Sequence, residues 1–77
     1  MKSLTAIIQR QKEGWVALCP ELDVASRGGS VEEAHTNLKE AVELYLETAS
    51  PEELEERLRG EVFITRLEVS LTDRRIG

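Results

Sequence analysis

Apolar and polar positions alternate along the first third of the chain and then take up a helical period. Between Leu4 and Gln11, the side chains of Leu4, Ala6 and Ile8 point one way and that of Ile7 the other, which is the spacing of a strand. Lys12-Glu13-Gly14 reads as a turn whose glycine can take a positive φ. Trp15 to Cys19 forms a second apolar run, so the two runs predict a hairpin. Pro20-Glu21-Leu22-Asp23 interrupts it, because proline has no N–H for a ladder. Val24 to Arg27 is a short third strand, broken by Gly28-Gly29. Ser30-Val31-Glu32-Glu33 then forms a capping box, with the Ser30 hydroxyl expected on the Glu33 N–H and the Glu33 carboxylate back on Ser30. The helix it starts should run to about Thr48, with Val31, Ala34, Leu38, Ala41, Val42, Tyr45, Leu46 and Ala49 on one stripe. Ser50-Pro51-Glu52-Glu53 repeats the start signal and predicts a short helix to about Arg59, closed by Gly60. Val62 to Leu71 reads as a last strand. Phe63, Thr65, Leu67, Val69 and Leu71 share one of its faces, and Val62, Ile64, Arg66, Glu68 and Ser70 share the other. Thr72 to Gly77 is polar and expected to fray.

The predicted order is β-β-β-α-(short α)-β, an α+β fold in which one long helix packs on one face of an antiparallel sheet, as a single domain over residues 1–77. One helix covers one sheet face, and the other face should then be polar. The second strand does not fit that scheme: Val16 and Leu18 alternate with Trp15, Ala17 and Cys19, so both of its faces are apolar. A homodimer, or a tight complex with another protein, is therefore expected, with Trp15, Val62 and Ile64 as candidate contact residues.

Size sharpens that expectation. A chain of 77 residues buries only about 60% of the surface it exposes when unfolded and often needs a staple or a partner. The aromatic residues are Trp15, Tyr45 and Phe63, and Cys19 is the single cysteine, so no intrachain disulfide can form. Cys19 and His35 stand apart without ligand spacing, and neither a metal nor a cofactor is expected. Gly28-Gly29-Ser30 lacks the lysine of a phosphate loop and reads as a capped turn. No stretch approaches the roughly 18 apolar residues of a membrane span, and Met1 to Gln11 has no signal-peptide pattern. With its lone cysteine, the chain is expected in the reducing cytoplasm. The net charge is −5, from 15 acidic and 10 basic side chains. That balance disfavours direct nucleic-acid binding and favours a basic protein partner.

The run from Trp15 to Glu47 resembles the HicB antitoxin family. That family shows an aromatic residue, an alanine, Pro-Asp/Glu-Leu, a glycine turn, Glu-Glu-Ala, and a helix with Asn-x-x-Glu-Ala and an acidic end. The matching positions here are Trp15, Ala17, Pro20-Glu21-Leu22, Gly28, Glu32-Glu33-Ala34, Asn37, Glu40-Ala41 and Glu47. The resemblance implies a partial ribonuclease-H-like fold without nuclease activity. It also implies a partner of the HicA kind, a small toxin that cleaves messenger RNA and whose active site the antitoxin masks. Many members carry Pro-Gly-Cys after the Pro-Asp-Leu step, where this chain has Asp23-Val24-Ala25, and Gly29 stands where an acidic residue is common. Many also end in a ribbon-helix-helix or helix-turn-helix domain. This sequence shows none after its last strand, so it is expected to be a short form lacking the C-terminal DNA-binding domain, and operator binding by a complex stays open.

Candidate contact residues for such a toxin are Glu21, Leu22 and Asp23 in the loop and Glu40, Glu43 and Glu47 on the helix. Between residues 32 and 56 there are nine glutamates and one lysine. This is either a solvated helix surface or a surface that steers a basic ribonuclease. The loop is either a docking element or a turn that ends the hairpin. Two other readings stay open: a solitary dimeric scaffold without a toxin, and a residual metal-dependent nuclease. The nuclease would need Glu21, Asp23 and Glu40 to converge.

Overall fold

The computed structural model describes residues 3–71. Strands β1 (Ile7–Gln11), β2 (Gly14–Cys19) and β3 (Val24–Gly28) form an antiparallel sheet in the order β1-β2-β3. Helices α1 (Val31–Thr48) and α2 (Pro51–Arg59) follow. The α+β class and the packing of one long helix on the sheet are as the sequence predicts, and each of these elements lies where its local signal puts it.

The hairpin closes with Gln11 opposite Gly14. Gly14 has φ 145°, and a Cβ there would stand 2.8 Å from the Gly28 carbonyl oxygen, so the position requires glycine on both counts. Register then sorts the faces. Ile8 opposes Ala17, which opposes Ser26, and Cys19 opposes Val24, which puts these residues on one side. Helix α1 lies there, and Ala17, Cys19, Leu22, Ala34 and Leu38 form the buried core. Trp15 joins the same side half-buried, packed against the core, with the Arg10 guanidinium 5.5 Å above its ring. This tryptophan, a candidate interface anchor from the sequence, is thus a core-edge residue. On the opposite side Ile7, Val16 and Leu18 are half-buried within the sheet with no helix over them. Strand β2 is therefore apolar on both faces, as its alternation predicts.

Both helix starts are built as the sequence dictates, with one change of partner. The Ser30 hydroxyl accepts from Glu33 N at 3.0 Å and the Ser50 hydroxyl accepts from Glu53 N at 3.1 Å. The Glu33 carboxylate, however, accepts from the backbone N–H of Gly29 rather than that of Ser30. Helix α1 sits so close over β3 that a Cβ on Gly28 would come 2.5 Å from Ala34 N. The Asn37 amide fixes the same contact by donating to the Arg27 carbonyl at 2.9 Å.

The predicted last strand differs. Residues 62–71 run on past α2 without a ladder partner. Phe63 and Leu67 are 88% and 86% exposed, and Ile64, Val69 and Leu71 are exposed as well. The alternation is that of a strand, but a strand needs an edge to pair with, and the segment meets none. The tail 72–77, expected to fray, lies outside the described residues. The molecule measures 51 × 28 × 18 Å with a radius of gyration of 15.7 Å, against about 11–12 Å for a compact chain of this length.

Candidate docking surface

The loop from Pro20 to Asp23 is a tight turn: the N–H groups of Leu22 and Asp23 both donate to the Cys19 carbonyl, at 3.3 and 2.8 Å. Asp23 reaches this geometry with φ 57°, a left-handed conformation that aspartate tolerates better than most residues. The turn drives Leu22 inward, where it is 1% exposed and among the largest fully buried side chains. Leu22 therefore belongs to the core and offers nothing to a partner. An apolar residue in a loop reads as a docking contact, and the tightness of this turn is why it points into the molecule instead.

Glu21 has an internal role as well. Its carboxylate accepts from Thr5 N at 3.0 Å and from the Thr5 hydroxyl at 2.6 Å, and the Cys19 thiol donates to it at 3.5 Å. It thereby ties the lead-in of β1 to the β2–β3 turn. Partial burial opposes its ionisation, but the Thr5 hydroxyl and N–H outweigh that and hold the carboxyl below its ordinary range. The Cys19 thiol is pushed up, first by burial, with the adjacent Glu21 adding to the effect. It behaves as a small buried hydrophobe.

Glu40, Glu43 and Glu47 lie exposed on one stripe of α1, and Asp23 is exposed on the turn. Glu43 pairs with Lys39 at 3.2 Å, both side chains being more than half exposed. Helix α2 adds Glu52, Glu55 and Glu56, also exposed. It is held by the Tyr45 hydroxyl donating to Glu53 at 3.0 Å and by Arg57 donating to the Leu22 carbonyl at 3.2 Å. Burial and the neighbouring Glu53 carboxylate raise the Tyr45 pKa. Thr5, Asn37 and Arg57 make contacts that the sequence alone does not reveal. Asn37 lies inside the Asn-x-x-Glu-Ala motif, whereas Thr5 and Arg57 bond residues 16 and 35 positions away.

A groove of about 350 Å³ opens between the lead-in of β1 and α1, with Leu4, Ala6, Leu38, Val42 and Leu46 on its walls and Glu43 among its polar residues. A second hollow, of about 410 Å³, lies at the hairpin tip beside Trp15 and Arg27. Among the described residues no three His, Cys, Asp or Glu side chains come together as metal ligands, so Glu21, Asp23 and Glu40 do not form the group a two-metal nuclease needs. No helix among them is long and apolar enough to cross a membrane.

Over 52 residues the chain is 42% identical to a UPF0150 protein of Helicobacter pylori (strain J99 / ATCC 700824), covering 66% of this chain and 72% of the relative. The chain belongs to the UPF0150 family. No family profile matches it, and no solved structure does.

Proposed function

We propose that this UPF0150 chain is an antitoxin-like protein that binds and occludes a small basic, mRNA-cleaving toxin of the HicA kind. The resemblance of Trp15 to Glu47 to the HicB family motivates the reading. The observation that carries it is the charge placed at the end of α1. Helix α2 follows the dipole rule, with Glu52 and Glu53 in its first turn and Arg57 and Arg59 in its last. Helix α1 also starts with acids, Glu32 and Glu33, but its last turn holds no basic residue, and Glu47 stands there instead. A carboxylate near a helix C-terminus costs stability. Glu40, Glu43 and Glu47 nevertheless share one exposed stripe, and function is a reason to retain them.

A ribonuclease presents positive charge to RNA phosphates. An acidic stripe attracts that surface at long range and competes with RNA for it. The proposed contact residues are Asp23, Glu40, Glu43 and Glu47, since Glu21 and Leu22 are committed inside the fold. The tagged chain would be used to capture partners from its own cytosol at low and high salt. A recovered small basic protein would then be assayed for RNA cleavage with and without the chain. The reading requires cleavage that this chain suppresses, and suppression weakened by the triple variant E40K/E43K/E47K. A partner whose cleavage is untouched by the chain, or the absence of any nuclease partner, would move the assignment to a self-associating scaffold. The uncovered face bearing Ile7, Val16 and Leu18 favours that second reading.

A further inference from the structure

We infer that residues 62–71 form a strand that pairs, in parallel, with the free edge of β1 in a second copy of this chain, so that two copies exchange strands reciprocally. No toxin is needed for this, because a donor and an acceptor are present on the same molecule. The donor is the extended segment whose face of Phe63, Thr65, Leu67, Val69 and Leu71 lies open to solvent. Such an unpaired apolar strand is an association site by its nature. The acceptor is β1, an edge strand of the sheet. Beside its lead-in runs the groove walled by Leu4, Ala6, Leu38, Val42 and Leu46, with Leu46 36% exposed.

The two match in pattern as well as in polarity. Along β1 the face away from α1 passes from apolar to polar: Ile7, Gln9, Gln11. The second face of the segment passes in the same direction, from Val62 and Ile64 to Arg66, Glu68 and Ser70. Parallel pairing sets Ile64 beside Ile7 and Arg66 and Glu68 beside Gln9 and Gln11, whereas antiparallel pairing would set Ile64 against the polar glutamines. It also aims Phe63 and Leu67 at the groove and places Val62 and Ile64 next to Ile7 and Leu18 on the uncovered face. The apolar second face of the segment's first half, which a simple amphipathic strand would lack, is thereby explained.

The occupant is a second copy because residues 62–71 have no ladder partner in their own sheet and leave their apolar face exposed, while every chain carries both the segment and the free β1 edge. Two copies related by a twofold axis satisfy both grooves with both segments and leave no open strand.

The first test is the mass of the full chain in solution by light scattering, with Leu67→Lys and the outward-facing control Arg66→Ala. Expected are a mass of twice 8.7 kDa for the chain and for R66A, and a folded species of half that mass for L67K. Isotope-filtered NOEs in a mixed dimer of labelled and unlabelled copies should connect Phe63 of one copy with Val42 or Leu46 of the other, and Leu67 with His35 or Leu38. A monomeric full chain overturns the inference, whether the segment folds back on its own β1 or waits for a different protein. A dimer that survives L67K, or whose NOEs run only within one copy, overturns it as well.

Discussion

At the scale of single residues, the least expected behaviour belongs to Glu21. A charged residue in a proline-bearing loop reads as an outward-facing group, yet its carboxylate binds both the backbone and the hydroxyl of Thr5. Because these bonds hold its pKa below the ordinary value of 4.5, the folded state binds fewer protons than the unfolded state just below that pH. The resulting stabilisation is fully present above the ordinary value and is lost as pH falls through the depressed one. Glu21→Gln should lower stability by about 1 kcal/mol at neutral pH and flatten the acid limb of a urea-midpoint profile. An unchanged acid limb would remove Glu21 from the account. Gly28 makes a second residue-scale prediction. A Cβ at this position would stand 2.5 Å from Ala34 N, so Gly28→Ala must push α1 off β3. A loss of about 1–3 kcal/mol is expected by chemical denaturation, with the Asn37–Arg27 bond loosened at the same time. Neither site can be valued from the sequence alone, since the distance to Thr5 or to the α1 backbone is set by tertiary contact.

At the scale of elements, legibility follows locality. The starts of α1 and α2 are readable because a cap is satisfied within a few residues: Ser30 with Glu33 and Ser50 with Glu53. The hairpin is readable because Gly14 and the alternation around it fix one register. Residues 62–71 carry an equally clear strand pattern, but pairing needs an edge, and alternation alone does not say whose. The helical stripe read from the sequence is also too broad. Ala34 and Leu38 are buried, while Val31 and Leu46 at its margins are 39% and 36% exposed. Helix α1 also separates function from stability. Its last turn lacks a basic residue and carries Glu47, so Glu47→Gln should raise the stability of the folded chain by about 0.3–1 kcal/mol, less in high salt. If the acidic stripe steers a basic partner, the same variant slows association with it. Stabilisation measured by thermal unfolding without slower association would leave Glu47 as a surface residue with no role in docking.

At the scale of the whole molecule, the buried core of the described residues is small. Among the described residues the buried apolar ones are Ala17, Cys19, Leu22, Ala34 and Leu38, a core with two alanines and no aromatic ring. Against it stand an uncovered sheet face and the open side chains of Phe63, Ile64, Leu67, Val69 and Leu71. The proposed strand exchange would cover these surfaces, and such association leaves a thermodynamic mark. When the folded species is a dimer and the unfolded one a monomer, stability depends on protein concentration by mass action. A hundredfold increase in concentration adds about 2.7 kcal/mol per dimer, and for a folding unit of two chains this corresponds to a rise in Tm of roughly 5–10 °C. Differential scanning calorimetry across that range measures it directly. The same scan on L67K should show a lower Tm that no longer moves with concentration, because the exchanged strand is the coupling between folding and assembly. A Tm independent of concentration in the unaltered chain would mean that the small core suffices by itself, and the exposed strand would then have to be explained by a partner other than a second copy.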